Sequence, residues 1–112
     1  MSLRSQWDTA KNGMSSAGVK VSVFSKDFGS ALDTFERADK AYQAAGGGDH
    51  AKLDKARSVR KTAANGAYAI GGEYGRNIRY LENHATDSKQ KRAIQSAGTA
   101  LMPIMNVLGK AI

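Results

Sequence analysis

The chain has 112 residues, no cysteine, and 17 Lys and Arg against 10 Asp and Glu, giving a formal net charge of +7. That length fits one domain, 1–112, with a modest core, and the lack of cysteine excludes a disulfide framework and thiolate chemistry. The charge favours acidic partners, whether nucleic acid, an anionic membrane or an acidic protein face, while no window reaches the ~18 consecutive apolar residues of a spanning helix.

Alanine is abundant, β-branched residues are sparse, and Pro103 is the only proline. This composition favours an all-α fold. Residues 1–24 are the least regular. They contain no apolar run and no cleavage-like site, so no signal peptide is expected, and the chain is placed in the cytoplasm or among proteins exported without a cleavable leader. The segment "SLRSQWDTAKNGM" reads as a short N-terminal element with Trp7 tucked against the remainder. "VKVSVF" alternates like a strand. A lone strand has no partner in a helical chain, so an extended or helical connection is expected.

From Ser25, a candidate N-cap with Asp27 in the first turn, the residues Phe28, Leu32, Phe35, Ala38, Tyr42 and Ala45 recur at helical spacing. "GGG" at 46–48 ends this helix, and Asp49 caps the next. That helix, 50–83, keeps Leu53, Ala56, Val59, Ala63, Ala67, Ile70, Tyr74, Ile78 and Leu81 on one face. Two long helices joined by a short turn form an antiparallel hairpin, 25–45 against 50–83. After "NHATDS", with Thr86 or Asp87 as a cap, a third helix at 88–111 aligns Ile94, Ala97, Leu101, Met105, Leu108 and Ile112. Pro103 falls on its outer side and is expected to kink it. The predicted architecture is a small antiparallel helical bundle built on the hairpin.

Glycine costs a helix interior about 1 kcal/mol relative to alanine, yet "NGAYAIGGEYGRNIRY" carries four. Ala63, Ala67, Gly71 and Gly75 lie four apart and form a ridge of small residues, which predicts close helix–helix packing. The alternative is a break at Gly71–Gly72. "IGGEYG" lacks the spacing and the preceding strand of a dinucleotide-binding loop.

On the same helix, Arg57, Lys61, Tyr68 and Arg79 share a narrow strip with Arg76 beside it, expected roughly opposite the apolar face. Lys89, Lys91 and Arg92 add charge near the start of the last helix. Cations interleaved with an aromatic suit a nucleic-acid backbone and a stacked base, or an acidic protein surface. A solvated helix face is the structural alternative. No metal site or cofactor is expected, because His50 and His84 lie at opposite ends of one helix. No catalytic constellation can be assembled from spacing.

The hairpin outline, the length and the absence of cysteine are similar to those of small secreted WXG-type proteins. The motif departs from them: the turn reads "GGGDH", the only tryptophan is Trp7, and Tyr80 is followed four residues later by His84. The chain is therefore not assigned to that family. The expected function is a non-enzymatic protein-interaction module that offers a helical face to an acidic partner. Nucleic-acid binding through the basic strip is the alternative. Membrane association through the apolar C-terminal helix is third, and homodimerisation through the small-residue seam is compatible with each.

Overall fold

In the computed structural model, which describes residues 1–112, the chain forms α1 (Leu3–Ser16), α2 (Phe28–Ala44), α3 (His50–His84) and α4 (Ser88–Lys110), with a single 3₁₀ turn at Val21–Val23. Short polar side chains start every helix. Ser2 accepts from the Ser5 N–H, Asp49 from Ala51 and Lys52, and Asp87 from Lys89. For α2 the cap is Asp27 rather than Ser25: its carboxylate accepts both the N–H and the hydroxyl of Ser30, at 2.9 and 2.7 Å. Each such cap stabilises its helix by about 1 kcal/mol.

The N-terminal segment is more regular than the sequence suggests. A full helix runs to Ser16 and closes in a Schellman motif. Gly18, at φ +87°, lets the Val19 and Gly18 N–H groups reach the carbonyls of Met14 and Ser15. The strand-like "VKVSVF" becomes a link in which Val19 and Phe24 are buried. Its irregular backbone leaves carbonyls without helical partners, and side chains supply them. Asn77 donates to Val23 O, Tyr74 to Lys26 O and Gln90 to Gly18 O.

The helices pack cyclically. α1 lies against α2 and α4, and α3 lies against the same two. Every neighbouring pair is antiparallel. Arg4 reaches Asp33, Lys26 reaches Glu73 while Arg60 reaches Asp39, Gln90 reaches Gly18, and Gly71 meets Met105 while Tyr68 meets Gly109. One apolar core draws on all four helices. At its centre Trp7 packs against Phe24, Phe28 and Tyr74, with ring centroids 5.2–5.8 Å apart.

α3 is continuous over 35 residues, so the glycine pair does not break it. The small-residue seam is present but rotated. Ala64, Ala67, Gly71, Tyr74 and Ile78 are the buried positions, whereas Ala63 and Gly75 are only half-buried. Gly71 has a direct reason to be glycine: a Cβ there would collide with Met105 Sδ and press on Phe28. α4 likewise runs unbroken past the exposed Pro103 and buries Ile94, Ala97, Leu101, Ile104 and Leu108. Ile104 replaces Met105 as a fully buried member, and Ile112 lies beyond the helix end, exposed.

The helices differ in length, so the bundle is uneven. α1 starts beside Glu36, whose carboxylate accepts the Leu3 N–H, and α4 ends beside Tyr68. Beyond those points only α2 and α3 remain. They project as a two-helix tip roughly 20 Å long at ~1.5 Å per residue, which gives the molecule its 56 Å long axis. Val59, expected in the core, is 51% exposed because no third helix covers it. The tip is held by a polar staple. Arg60 lies between the two helices, 3.3 Å from Asp39 and 3.7 Å from the centroid of the Tyr42 ring.

Two adjacent glycines should respond oppositely to substitution. Gly72→Ala raises stability by about 0.5–1 kcal/mol, since its Cβ meets open space, whereas Gly71→Leu overpacks the α3–α4 contact and lowers it by about 1–3 kcal/mol. Thermal unfolding of the two variants checks this. The Asp27 cap gives a second test. The Ser30 N–H and then its hydroxyl hold the Asp27 carboxyl below the 3.8 of a free aspartate. Its contribution is therefore complete above 3.8 and is lost as pH falls through the lower folded value. The wild-type advantage over Asp27→Asn should be constant above about pH 5 and shrink in acid. A pH-independent difference in melting temperature would show that the charge plays no part.

Candidate functional site

The α3 strip of Arg57, Lys61, Tyr68, Arg76 and Arg79 is exposed throughout, as are Lys89, Lys91 and Arg92 on the first turns of α4. Its position differs from expectation. Burial of Ala64, Gly71 and Ile78 turns the core face of α3 toward α4, so Tyr68 and Arg79 flank the α3–α4 junction instead of lying opposite the core, while Arg57 and Lys61 sit on the tip beyond the end of α4. Tyr68 is 43% exposed and leans on α4 next to Gly109, where a Cβ would sit 3.8 Å from its ring. Arg57 is drawn toward the tip, 3.3 Å from Asp54. Lys61, Arg76 and Arg79 have no ion-pair partner, and neither do Lys89, Lys91 and Arg92.

Along this junction runs an open groove of about 450 Å³. Gly72, Gly75 and Gly98 contribute no side chain to it. Ile78, Leu101, Met102 and Met105 form its apolar walls, while Arg79, Glu82 and Asn106 supply polar groups. Met102 is 67% exposed, well beyond what core packing would leave. The glycines here differ from Gly71. A Cβ at Gly75 would lie 3.9 Å from Leu101, one at Gly98 3.6 Å from Ile78, and one at Gly72 would meet nothing. Ordinary van der Waals contact of this kind gives the fold no need for glycine at these three positions.

The charges are partitioned unevenly between internal contacts and solvent. Asp8, Asp33, Asp39, Asp54 and Glu73 are in ion pairs. Asp27, Asp49 and Asp87 cap helices, and Glu36 accepts the Leu3 N–H. Of the ten side-chain carboxylates only Glu82 has no such partner. Of the 17 Lys and Arg residues, by contrast, only Arg4, Lys26, Arg57 and Arg60 are ion-paired. The unengaged charge is therefore almost entirely positive.

A second recess lies over the aromatic cluster, between α1 and the start of α2, and it is polar. Arg4, Lys11 and Lys26 stand there with Asp8 and Asp27. Arg4 is held above its ordinary value by its hydrogen bond and charge contact with Asp33, and burial raises the Tyr74 hydroxyl. These groups knit the link to the bundle. No three His, Cys, Asp or Glu side chains gather closely enough to hold a metal ion. The apolar stripe of α4, considered for a membrane surface, faces the core, and no helix is long and apolar enough to cross a membrane.

Sequence reasoning found the cations but missed the groove, because Gly98, Met102 and Asn106 belong to another helix. Their spacing of four from Gly98 to Met102 to Asn106 was the available signal. Comparison of the chain with protein-family models, curated proteins and solved structures gave no match.

Exposed residues without partners should be replaceable without loss of fold. Arg76→Glu and Arg79→Glu are expected to shift stability by no more than about 0.5 kcal/mol each. Denaturant titration measures it, and a larger loss would reveal a structural role for either arginine.

Proposed function

We propose that this chain is a non-enzymatic interaction module that presents its α3–α4 face to an acidic protein partner. The observation that carries the reading is the partition of charge. Folding engages nearly every carboxylate in caps and ion pairs and leaves most Lys and Arg side chains unpaired, among them Lys61, Arg76, Arg79, Lys89, Lys91 and Arg92. Such a surface steers anionic partners and disfavours cationic ones. A protein partner fits better than nucleic acid because Arg79 lines the groove together with the exposed Met102 and the apolar Ile78 and Leu101.

Fluorescence anisotropy with labelled polyglutamate and with single-stranded DNA and RNA, each across a salt series, tests the reading. At about 0.15 M salt the acidic polypeptide should bind, and the double variant Arg76→Glu/Arg79→Glu should weaken it by about tenfold or more. Nucleic acid bound under these conditions while polyglutamate is not would replace this reading with the alternative.

A further inference from the structure

We propose that the α3–α4 groove docks an acidic amphipathic helix of a partner protein, with the partner's backbone drawn close against Gly72, Gly75 and Gly98. The inference rests on the interaction-module reading above and specifies the site and the occupant.

Alanine is the better helix former at any interior helical position. At these three glycines it would also fit: a Cβ would meet open space at Gly72, Leu101 at 3.9 Å from Gly75, and Ile78 at 3.6 Å from Gly98. The bundle's own packing thus gives no account of them. A helix approaching from outside does, because the absence of Cβ atoms on both sides of a junction lets a third backbone settle between α3 and α4. The walls suit such a guest. Ile78, Leu101 and Met105 offer apolar surface, and the exposed Met102 thioether can adapt its shape to an incoming side chain.

Charge selects the occupant. Arg79 stands in the groove, with Arg76 one turn away on α3, and neither is ion-paired. Glu82 is the single carboxylate in the groove. A helix with acidic residues along its edge would neutralise the arginines while its apolar face covers Met102. A second copy of the chain is a poor fit. Its acid-rich helix, α2, already has Asp33 bound to Arg4, Asp39 bound to Arg60, Asp27 as its cap and Glu36 on the Leu3 N–H. A nucleic-acid backbone would neutralise the cations but leave the apolar floor unfilled.

The test uses a fluorescein-labelled helical peptide of about 18 residues. It carries Ala along one line to face the glycines, Leu beside it and Glu at the edges. A matched peptide has Lys in place of Glu, and a single-stranded DNA 20-mer is the third probe. Anisotropy is measured for the wild type, Gly72→Leu, Arg79→Glu and the remote Lys20→Glu, with thermal unfolding of each variant. The Glu peptide should bind and the Lys peptide should not. Gly72→Leu, whose side chain enters the groove without touching the core, and Arg79→Glu should each weaken binding about tenfold or more, and Lys20→Glu by less than about twofold. Glu-peptide binding that survives Gly72→Leu would overturn the groove assignment while leaving an acidic partner in place. DNA binding without Glu-peptide binding, or no binding by any probe, would overturn the assignment together with the reading it rests on.

Discussion

The edge-to-face and tilted packing of Trp7, Phe24, Phe28 and Tyr74 sets the register of the whole bundle. These four rings come from α1, the link, α2 and α3, and each bulky aromatic removes a large apolar area from water. Tyr74 adds a directional constraint: its buried hydroxyl donates to the Lys26 carbonyl and so fixes where the link crosses α3. Once Phe28 is seated beside Gly71 and Tyr74, the 17 residues of α2 must run back along the first half of α3. α1 begins beside Glu36 and α4 ends beside Tyr68, so neither reaches that far. The overhanging tip is therefore a consequence of where the aromatic cluster sits, and Arg60 serves there as a polar substitute for the missing hydrophobic layer. Its aliphatic stem packs between the helices while its charge meets Asp39 and the Tyr42 ring.

The same register explains why adjacent glycines on α3 have different meanings. Gly71 faces inward at the level where Met105 and Phe28 crowd the helix, so a side chain has no room. Gly72 and Gly75 are turned toward the rim of the α3–α4 junction, where room is plentiful. On the opposing helix Gly98 does the same. An intrachain packing argument accounts for the first and fails for the others. The difference cannot be read from residue type, because all four are glycine within similar helical surroundings.

Much of the architecture was legible in the sequence. The stripe Phe28–Leu32–Phe35–Ala38, the "GGG" turn with its Asp49 cap, and the Ile94–Ala97–Leu101–Leu108 stripe all express helical periodicity strongly, and the structure keeps them. The helix at 3–16 was under-read because it buries only Leu3, Trp7 and Met14, a sparse stripe whose largest member could equally mark a loop contact. The valines of "VKVSVF" misled for a local reason. Alternation implies a strand only where backbone groups have a sheet to join, and here Asn77, Tyr74 and Gln90 satisfy the carbonyls instead. Val59 followed the helical period faithfully and still lies outside the core, since periodicity locates a face but not how far a neighbouring helix extends along it. Of the candidate site, the cations were legible and the cavity beside them was not, because a groove is a relation between two helices.

Charge connects these observations to partner choice. The formal charge of +7 is carried mainly by cations that folding leaves without ion pairs. Folding places carboxylates where backbone N–H groups and inter-helix cations need them, at Asp27, Asp49 and Asp87 for the caps and at Asp33, Asp39 and Glu73 across helix pairs. Each inter-helix pair matches one carboxylate with one cation and leaves the net charge unchanged, while the capping carboxylates of Asp27, Asp49 and Asp87 stay exposed. Surface ion pairs of this kind contribute little to stability, so their main physical effect here is on what remains unpaired. The cations left over are spread across the surface, and exposed apolar side chains also occur away from the groove, as at Val59 on the tip. At the α3–α4 junction, missing Cβ atoms and the exposed Met102 open a trough beside Arg79. In the proposed reading, long-range attraction by the cations and short-range burial in this trough act together, which is the combination that would give a basic surface a preferred shape of partner.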